Sequence, residues 1–283
     1  MTLSDARQES PPIRPSSPNG RLVERMPLGE LMRPLAAPGD QLEPGVARAV
    51  AAQREVRLPL YARRGKRILD LALIVGCAPL ALLISIPIAL VNLAIHRDPR
   101  QILFAQDRIG RGGRLFRILK FRTMVGTQRG NYDSWSNGHD QLRVTKFGRF
   151  LRNSHLDELP QLINVMRGDM SIIGPRPEMV EIEAWAVREV PGFGVRLAVK
   201  PGITGYAQVV QGYTGRDVQA YTEKLEHGVT YLRSMSFGLD LWILWRTAVT
   251  MLKLDGWRWD DRIRGTHDES AARGLETPDR PRD

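Results

Sequence analysis

KFGRFLRNSHLDELPQLINVMRGDMSIIGPRP, residues 146–177, sets two carboxylates, Asp157 and Glu158, side by side. Lys146, Arg149 and Arg152 come just before them; Gly168, Asp169 and the turn Gly174-Pro175-Arg176-Pro177 follow. Leu156, Leu159, Leu162, Ile163 and Met166 recur at helical intervals and predict a helix with one apolar face. Ser154 is the expected N-cap. Pro160 has no amide proton and is tolerated only in a first turn, and Gly168 is a natural stop. The dyad therefore falls at a helix start, where the dipole and free N–H groups favour negative charge, from a carboxylate or from a bound phosphate. Ser171–Ile173 reads as a short buried strand, with Arg176 held on a stiff turn beside it. An Asp-Glu pair at a helix start is by itself a capping device, and a Pro-Arg-Pro turn is by itself a loop. Their combination in one stretch is what points to a site.

Upstream, residues 101–124 alternate Arg and Lys with Ile, Leu and Phe. Phe116–Phe121 is a strand or an amphipathic helix. The arginines of this segment suit an anionic lipid surface, and Lys120 and Arg122 are candidates for substrate phosphates. Further back, Leu71–Ile95 gives 25 residues without a formally charged side chain, roughly 37 Å as a straight helix and long enough to cross a bilayer core. Two features oppose a simple span. Pro79 and Pro87 interrupt the run, and basic residues crowd both ends: Arg63, Arg64, Lys66 and Arg67 before it, Arg97, Arg100 and Arg108 after it. The positive-inside rule places both ends on the cytoplasmic side, so a kinked helix that enters and returns is expected. The bend is assigned to Ser85–Pro87, because Pro87 removes one donor and Ser85 can bond a freed carbonyl. Cys77, the only cysteine, excludes an intramolecular disulfide and is read as a small buried hydrophobe. Residues 1–62 are read as a disordered extension, because nine of the 19 prolines lie before residue 60 and the first sixty residues lack aromatics.

Downstream, residues 125–145 are a polar loop. Ile182–Val190 is an amphipathic helix ended by Pro191. Pro201–Tyr206 is a turn entering a short strand, and Ala220–Leu232 is a helix with Tyr221, Leu225, Val229 and Leu232 in register. Ser236–Leu254 is a strongly apolar helix. Asp240 and Arg246 near its middle are costly in hydrocarbon, and Trp242, Trp245, Trp257 and Trp259 suit the membrane interface. The tail, residues 263–283, is polar. The net charge of +10 calls for an anionic partner: nucleic acid, anionic lipid or a phosphorylated substrate. No zinc-finger or RNA-binding signature accompanies it.

Several ordered segments resemble one family. They are Lys66–Asp70, Gln106–Gly110, Phe116–Met124, Leu156–Pro160, Met166–Ser171, Ile173–Pro177 and Pro201–Val209, and they cover about residues 63–260. This pattern resembles the bacterial sugar transferases, monotopic polyprenyl-phosphate phosphoglycosyl transferases that start exopolysaccharide and glycoconjugate synthesis. Two departures are visible: no Ser directly precedes Pro79 or Pro87, and Tyr206 stands where the family often has Trp.

The resemblance implies an α+β, mostly helical monotopic membrane protein with a re-entrant helix at 63–98 and interfacial helices on a cytoplasmic-face catalytic domain at 99–262. It implies transfer of a sugar 1-phosphate from a UDP-sugar to polyprenyl phosphate at the bacterial inner membrane, giving UMP. By the family motif Asp157 is the nucleophile, forming an acyl phosphate. Glu158 serves in metal binding or acid–base work, and Mg²⁺ is held by Asp157 and Glu158. Arg149 and Arg152 hold the diphosphate, and Arg176 serves the nucleotide end. Galactose or glucose is the expected sugar by analogy alone. A homo-oligomer and downstream glycosyltransferases are the further partners considered. The contrasting reading is a basic membrane-surface scaffold or nucleic-acid binder, in which the dyad only caps a helix.

Overall fold

The computed structural model describes residues 58–126, 143–212, 214–215 and 217–252. The expected disordered extension up to residue 57, the interior of the 125–145 loop, the tail, and Trp257 and Trp259 lie outside the described residues.

A four-residue helix α1 (Leu60–Arg63) leads into α2 (Gly65–His96), which takes up the whole apolar run. The helix continues through Pro79 and Pro87 without interruption. Proline removes one ladder bond and bends a helix but need not end it. The interruption expected at Ser85–Pro87 is therefore not a break in the helix.

Both ends of α2 are tied to the same domain. Near the start, Lys66 pairs with Asp240 at 2.6 Å. Arg67 donates to the carbonyls of Val165 and Met166 at 2.6 and 2.8 Å. Asp70 accepts from Ser171 Oγ and the Ile172 amide at 2.8 and 2.9 Å. Near the end, Asn92 Nδ2 donates to the carbonyls of Ile102 and Arg122 at 3.1 and 3.0 Å. Lys66 and Arg67 thus serve the protein interior, and of the basic collar only Arg63 and Arg64 stay exposed. Between these ties the outer face of α2 is bare: Val75, Leu80, Leu82, Leu83 and Ile86 are exposed, and so is Cys77, which is not the buried hydrophobe expected.

Strands β1 (Leu103–Ile109) and β2 (Leu115–Phe121) form an antiparallel hairpin, with Leu103 opposite Phe121 and Ile109 opposite Leu115. Of the two readings left open for Phe116–Phe121, the strand holds. Its arginines turn inward more than the lipid-surface reading expected: Arg108 donates to Pro177 O at 3.2 Å and Gln106 Oε1 at 2.6 Å, and Arg117 lies 3.7 Å from Asp107.

After the loop, whose ends meet as a Met124–Val144 bridge, come α3 (Lys146–Asn153), a 3-10 turn (Leu156–Glu158) and α4 (Gln161–Arg167). The single helix expected between Ser154 and Gly168 is therefore a 3-10 turn followed by a shorter helix, and α3 lies ahead of it. Ser154 closes α3, its hydroxyl donating back to Phe150 O at 2.8 Å, and Thr145 provides the N-cap. Pro160 explains the split, since its ring would clash with the Leu156 carbonyl inside a continuous helix. The buried face of α4 is also shifted: Asn164 and Val165 are fully buried while Met166 is exposed. Gly168 ends α4 in the left-handed conformation, φ 87°, as expected.

Strand β3 (Ser171–Ile173) pairs in parallel with β4 (Gly202–Thr204). A Cβ on Gly202 would sit 2.0 Å from Gly174 N, so this close crossing admits only glycine. Between these strands run α5 (Val180–Glu189) and a 3-10 turn (Phe193–Ala198). After β4 come α6 (Tyr206–Val210), α7 (Val218–Ser234) and α8 (Phe237–Leu252). On α8, Ile243 and Asp240 are fully buried while Phe237, Trp242 and Trp245 are exposed. Asp240 thus faces the protein rather than solvent or lipid. The fold is mostly helical, with two two-stranded sheets among the described residues.

Candidate active site

Three elements converge on the dyad. The 3-10 turn carries Asp157 and Glu158, and His155 enters it in the left-handed region at φ 56°, a conformation costly for a residue with a Cβ. Strand β2 brings Lys120. The turn after β3 brings Arg176. Asn164 locks β2 against α4: its Oδ1 accepts from the Leu119 amide at 3.0 Å and its Nδ2 donates to Arg117 O at 2.7 Å. α3 packs onto the same edge through Gly148, where a Cβ would meet Thr123 O at 2.1 Å.

The two carboxylates have different surroundings. Glu158 Oε1 accepts from Lys120 Nζ at 2.6 Å and from Arg176 Nη2 at 3.0 Å. Burial alone would raise its pKa, but the charges and hydrogen bonds of Lys120 and Arg176 hold it far below the usual range. Asp157 is buried, with Lys120 Nζ at 4.0 Å. Burial raises its pKa, and the Glu158 charge adds to this against the pull of Lys120, Arg152 and His155. Adjacent carboxylates with pKa values pushed apart are the pattern of a site that assigns them different tasks. One stays a fixed anion in an ion cluster; the other keeps a more basic oxygen.

Of the expected site residues, Asp157, Glu158, Lys120 and Arg176 are brought together. Arg152 lies beside them, its Nε donating to Thr123 Oγ1 at 2.9 Å, close enough to act electrostatically on Asp157. Arg122 is buried with its guanidinium over the Phe104 ring, 5.9 Å from the centroid. Arg149 is exposed on α3, and no contact joins it to the dyad among the described residues. Beyond Arg176 a small indentation is lined by Pro175, Arg176, Arg196, Tyr206 and Lys224.

Sequence reasoning missed Asn164, Arg196, Glu183, Glu178 and Lys224. Asn164 sits at a core position of an apolar helix, and a polar residue there was the signal available. The others carry no local signal that pairs them, and only the fold joins them.

Among the described residues no three His, Cys, Asp or Glu side chains gather as a metal cluster. The oxygens of Asp157 and Glu158 are hard donors, the kind magnesium takes when substrate phosphates and water complete its shell. Glu158 Oε1 is already engaged by two cations, which leaves Asp157 the better placed of the two.

The family model described as bacterial sugar transferase matches residues 61–254. The chain is 39% identical over 198 residues to a UDP-N-acetylgalactosamine-undecaprenyl-phosphate N-acetylgalactosaminephosphotransferase of Aeromonas hydrophila, covering 69% of this chain and 45% of that one. It is 38% identical over 193 residues to a UDP-glucose:undecaprenyl-phosphate glucose-1-phosphate transferase of Caulobacter vibrioides, covering 67% of this chain and 70% of the relative. A protein of the same name from Xanthomonas campestris is 37% identical over 189 residues, of which the match spans 37%. The match thus spans less than half of two of these relatives and more than two thirds of the third. With the family's segments folded around one acidic dyad, the chain belongs to the bacterial sugar transferase family.

Proposed function

We propose that this protein transfers a sugar 1-phosphate from a UDP-sugar to undecaprenyl phosphate at the cytoplasmic face of a bacterial inner membrane. The observation that carries the reading is the asymmetry of the dyad: Glu158 is neutralised by Lys120 and Arg176, while Asp157 stays buried beside them with a raised pKa. An Asp157 oxygen attacks the phosphorus that bears the sugar. The bond to the bridging oxygen breaks and UMP leaves, giving a phospho-sugar ester on Asp157. An oxygen of undecaprenyl phosphate then attacks the same phosphorus, the acyl–phosphate bond breaks, and the carboxylate is regenerated. Both steps bring anions together, and Lys120, Arg152 and Arg176 offset the repulsion. Magnesium, held by Asp157 with Glu158 nearby, would add charge neutralisation at the phosphates.

The lipid acceptor calls for a membrane-bound site. The exposed apolar face of α2 supports this, as do Phe150 on α3 and Trp242 and Trp245 on α8. Both ends of α2 are tied by buried polar groups to one domain. This supports a monotopic, re-entrant placement over a span, which would carry one end away from its partners. The buried dyad set against basic groups also favours catalysis over the scaffold reading, which needs no such site.

The purified protein in lipid, with magnesium, should release UMP from a UDP-sugar continuously when undecaprenyl phosphate is present, and stop at one UMP per protein without it. A panel of UDP-sugars would identify the donor. Silence across the panel would refute the transferase reading.

A further inference from the structure

The turn that carries Arg176 is held from its far side by charges that take no part in the dyad. Arg196, on the 3-10 turn before β4, is 3% exposed, and its Nη1 donates to the Arg176 carbonyl at 2.8 Å. Its Nη2 donates to Glu183 of α5, which is fully buried. One residue past the turn, buried Glu178 accepts from Lys224 of α7. On the other flank Arg108 donates to the Pro177 carbonyl. Three successive residues, Arg176, Pro177 and Glu178, are each gripped by a cation from another element. Aromatic rings lie beneath: Arg196 sits 4.4 Å from the Phe193 centroid and Lys224 4.8 Å from that of Tyr221.

Buried ion pairs are weak devices for stability, because desolvation offsets their attraction. They are effective for direction, since a guanidinium is a rigid fork that fixes two acceptors relative to each other. Here the fork joins helix α5 to the backbone of Arg176. The Arg176 side chain is one-third exposed, so where its head lies depends on where that backbone is held.

We propose that Arg196, braced by Glu183, is a positioning residue for Arg176 and sets where that guanidinium meets the diphosphate of the sugar nucleotide. The inference rests on the transferase reading above. Arg196→Lys keeps the charge and removes the fork. It should lower kcat/KM for the UDP-sugar at least tenfold. In an Arg176→Ala background the same substitution should change kcat/KM less than twofold, while the unfolding midpoint shifts equally in both backgrounds.

A merely structural role would give equal losses in both backgrounds, and that result in an active wild type overturns this inference alone. If turnover of the Arg176→Ala background falls below detection, the Kd for the UDP-sugar replaces kcat/KM in all four proteins, with the same expected changes and the same contrary result. If Arg196→Lys does not fold, Glu183→Gln, which keeps Arg196 and weakens its brace, takes its place with the same expectations. Absence of UMP release from the wild type overturns the transferase reading and this inference with it.

Discussion

Replacing Lys66 by Met would leave Asp240 buried without its ammonium partner. Asp240 has no exposed side-chain surface and Lys66 only 8%, so water cannot substitute for the lost charge. Two donors remain, the hydroxyls of Tyr61 and Tyr231, each at 2.8 Å. Breaking a buried pair by removing one partner costs about 3–5 kcal/mol; the two hydroxyls bring the expectation to the lower end, about 3 kcal/mol. For a domain of this size that is a fall in Tm of about 6–12 °C. Lys66→Met/Asp240→Asn removes the uncompensated charge and keeps an acceptor for the hydroxyls, so it should recover at least half of the loss. The assay is thermal unfolding in one fixed detergent for the wild type, both single variants and the double variant. A loss below about 1 kcal/mol for Lys66→Met, or a double variant no better than the single one, would refute the clamp between α2 and α8.

Membrane-impermeant labelling in intact cells, at one site before Arg63 and one after Arg97, should find both protected until the inner membrane is permeabilised; protection of only one would mean that α2 spans. Glu178 gives a pH test. Burial would raise its pKa, but Lys224 and Arg196 bring it down to about 2 from an ordinary 4.5. A lowered carboxylate pKa contributes stability that is full above the unfolded value and is lost as pH falls toward the folded one. The gap in melting temperature between wild type and Glu178→Gln should therefore be widest above about pH 4.5 and close toward pH 2. A gap that is constant with pH would contradict the pairing.

Local signals in the chain identified the β3 strand, the α5 and α7 helices and the stop at Gly168, because each rests on periodicity or on one residue's backbone preference. The 154–167 segment was misread because the apolar spacing of Leu156, Leu159 and Leu162 continues across Pro160, while the backbone cannot. α3 was missed although Phe147, Phe150 and Leu151 carry helical spacing behind the Thr145 cap. Cys77 was assigned to a core because apolar surroundings in sequence do not distinguish a protein interior from a lipid-facing surface. Lys66 read as part of a surface collar, and Asp240 as a charge to be kept out of hydrocarbon. Their pairing spans 174 positions, and no local pattern encodes a contact of that range. Arg196 and Glu183 are only 13 positions apart, but they meet where the 3-10 turn folds back on α5, a contact that periodicity does not mark.

Whether Asp157 is the nucleophile is decided by a trapping experiment. The protein is incubated with its UDP-sugar and magnesium, without undecaprenyl phosphate, then quenched and analysed by mass spectrometry. One sugar phosphate per protein should be added on the peptide that contains Asp157, absent in Asp157→Asn and discharged by adding undecaprenyl phosphate. An adduct on another residue, or normal turnover by Asp157→Asn, would contradict that assignment.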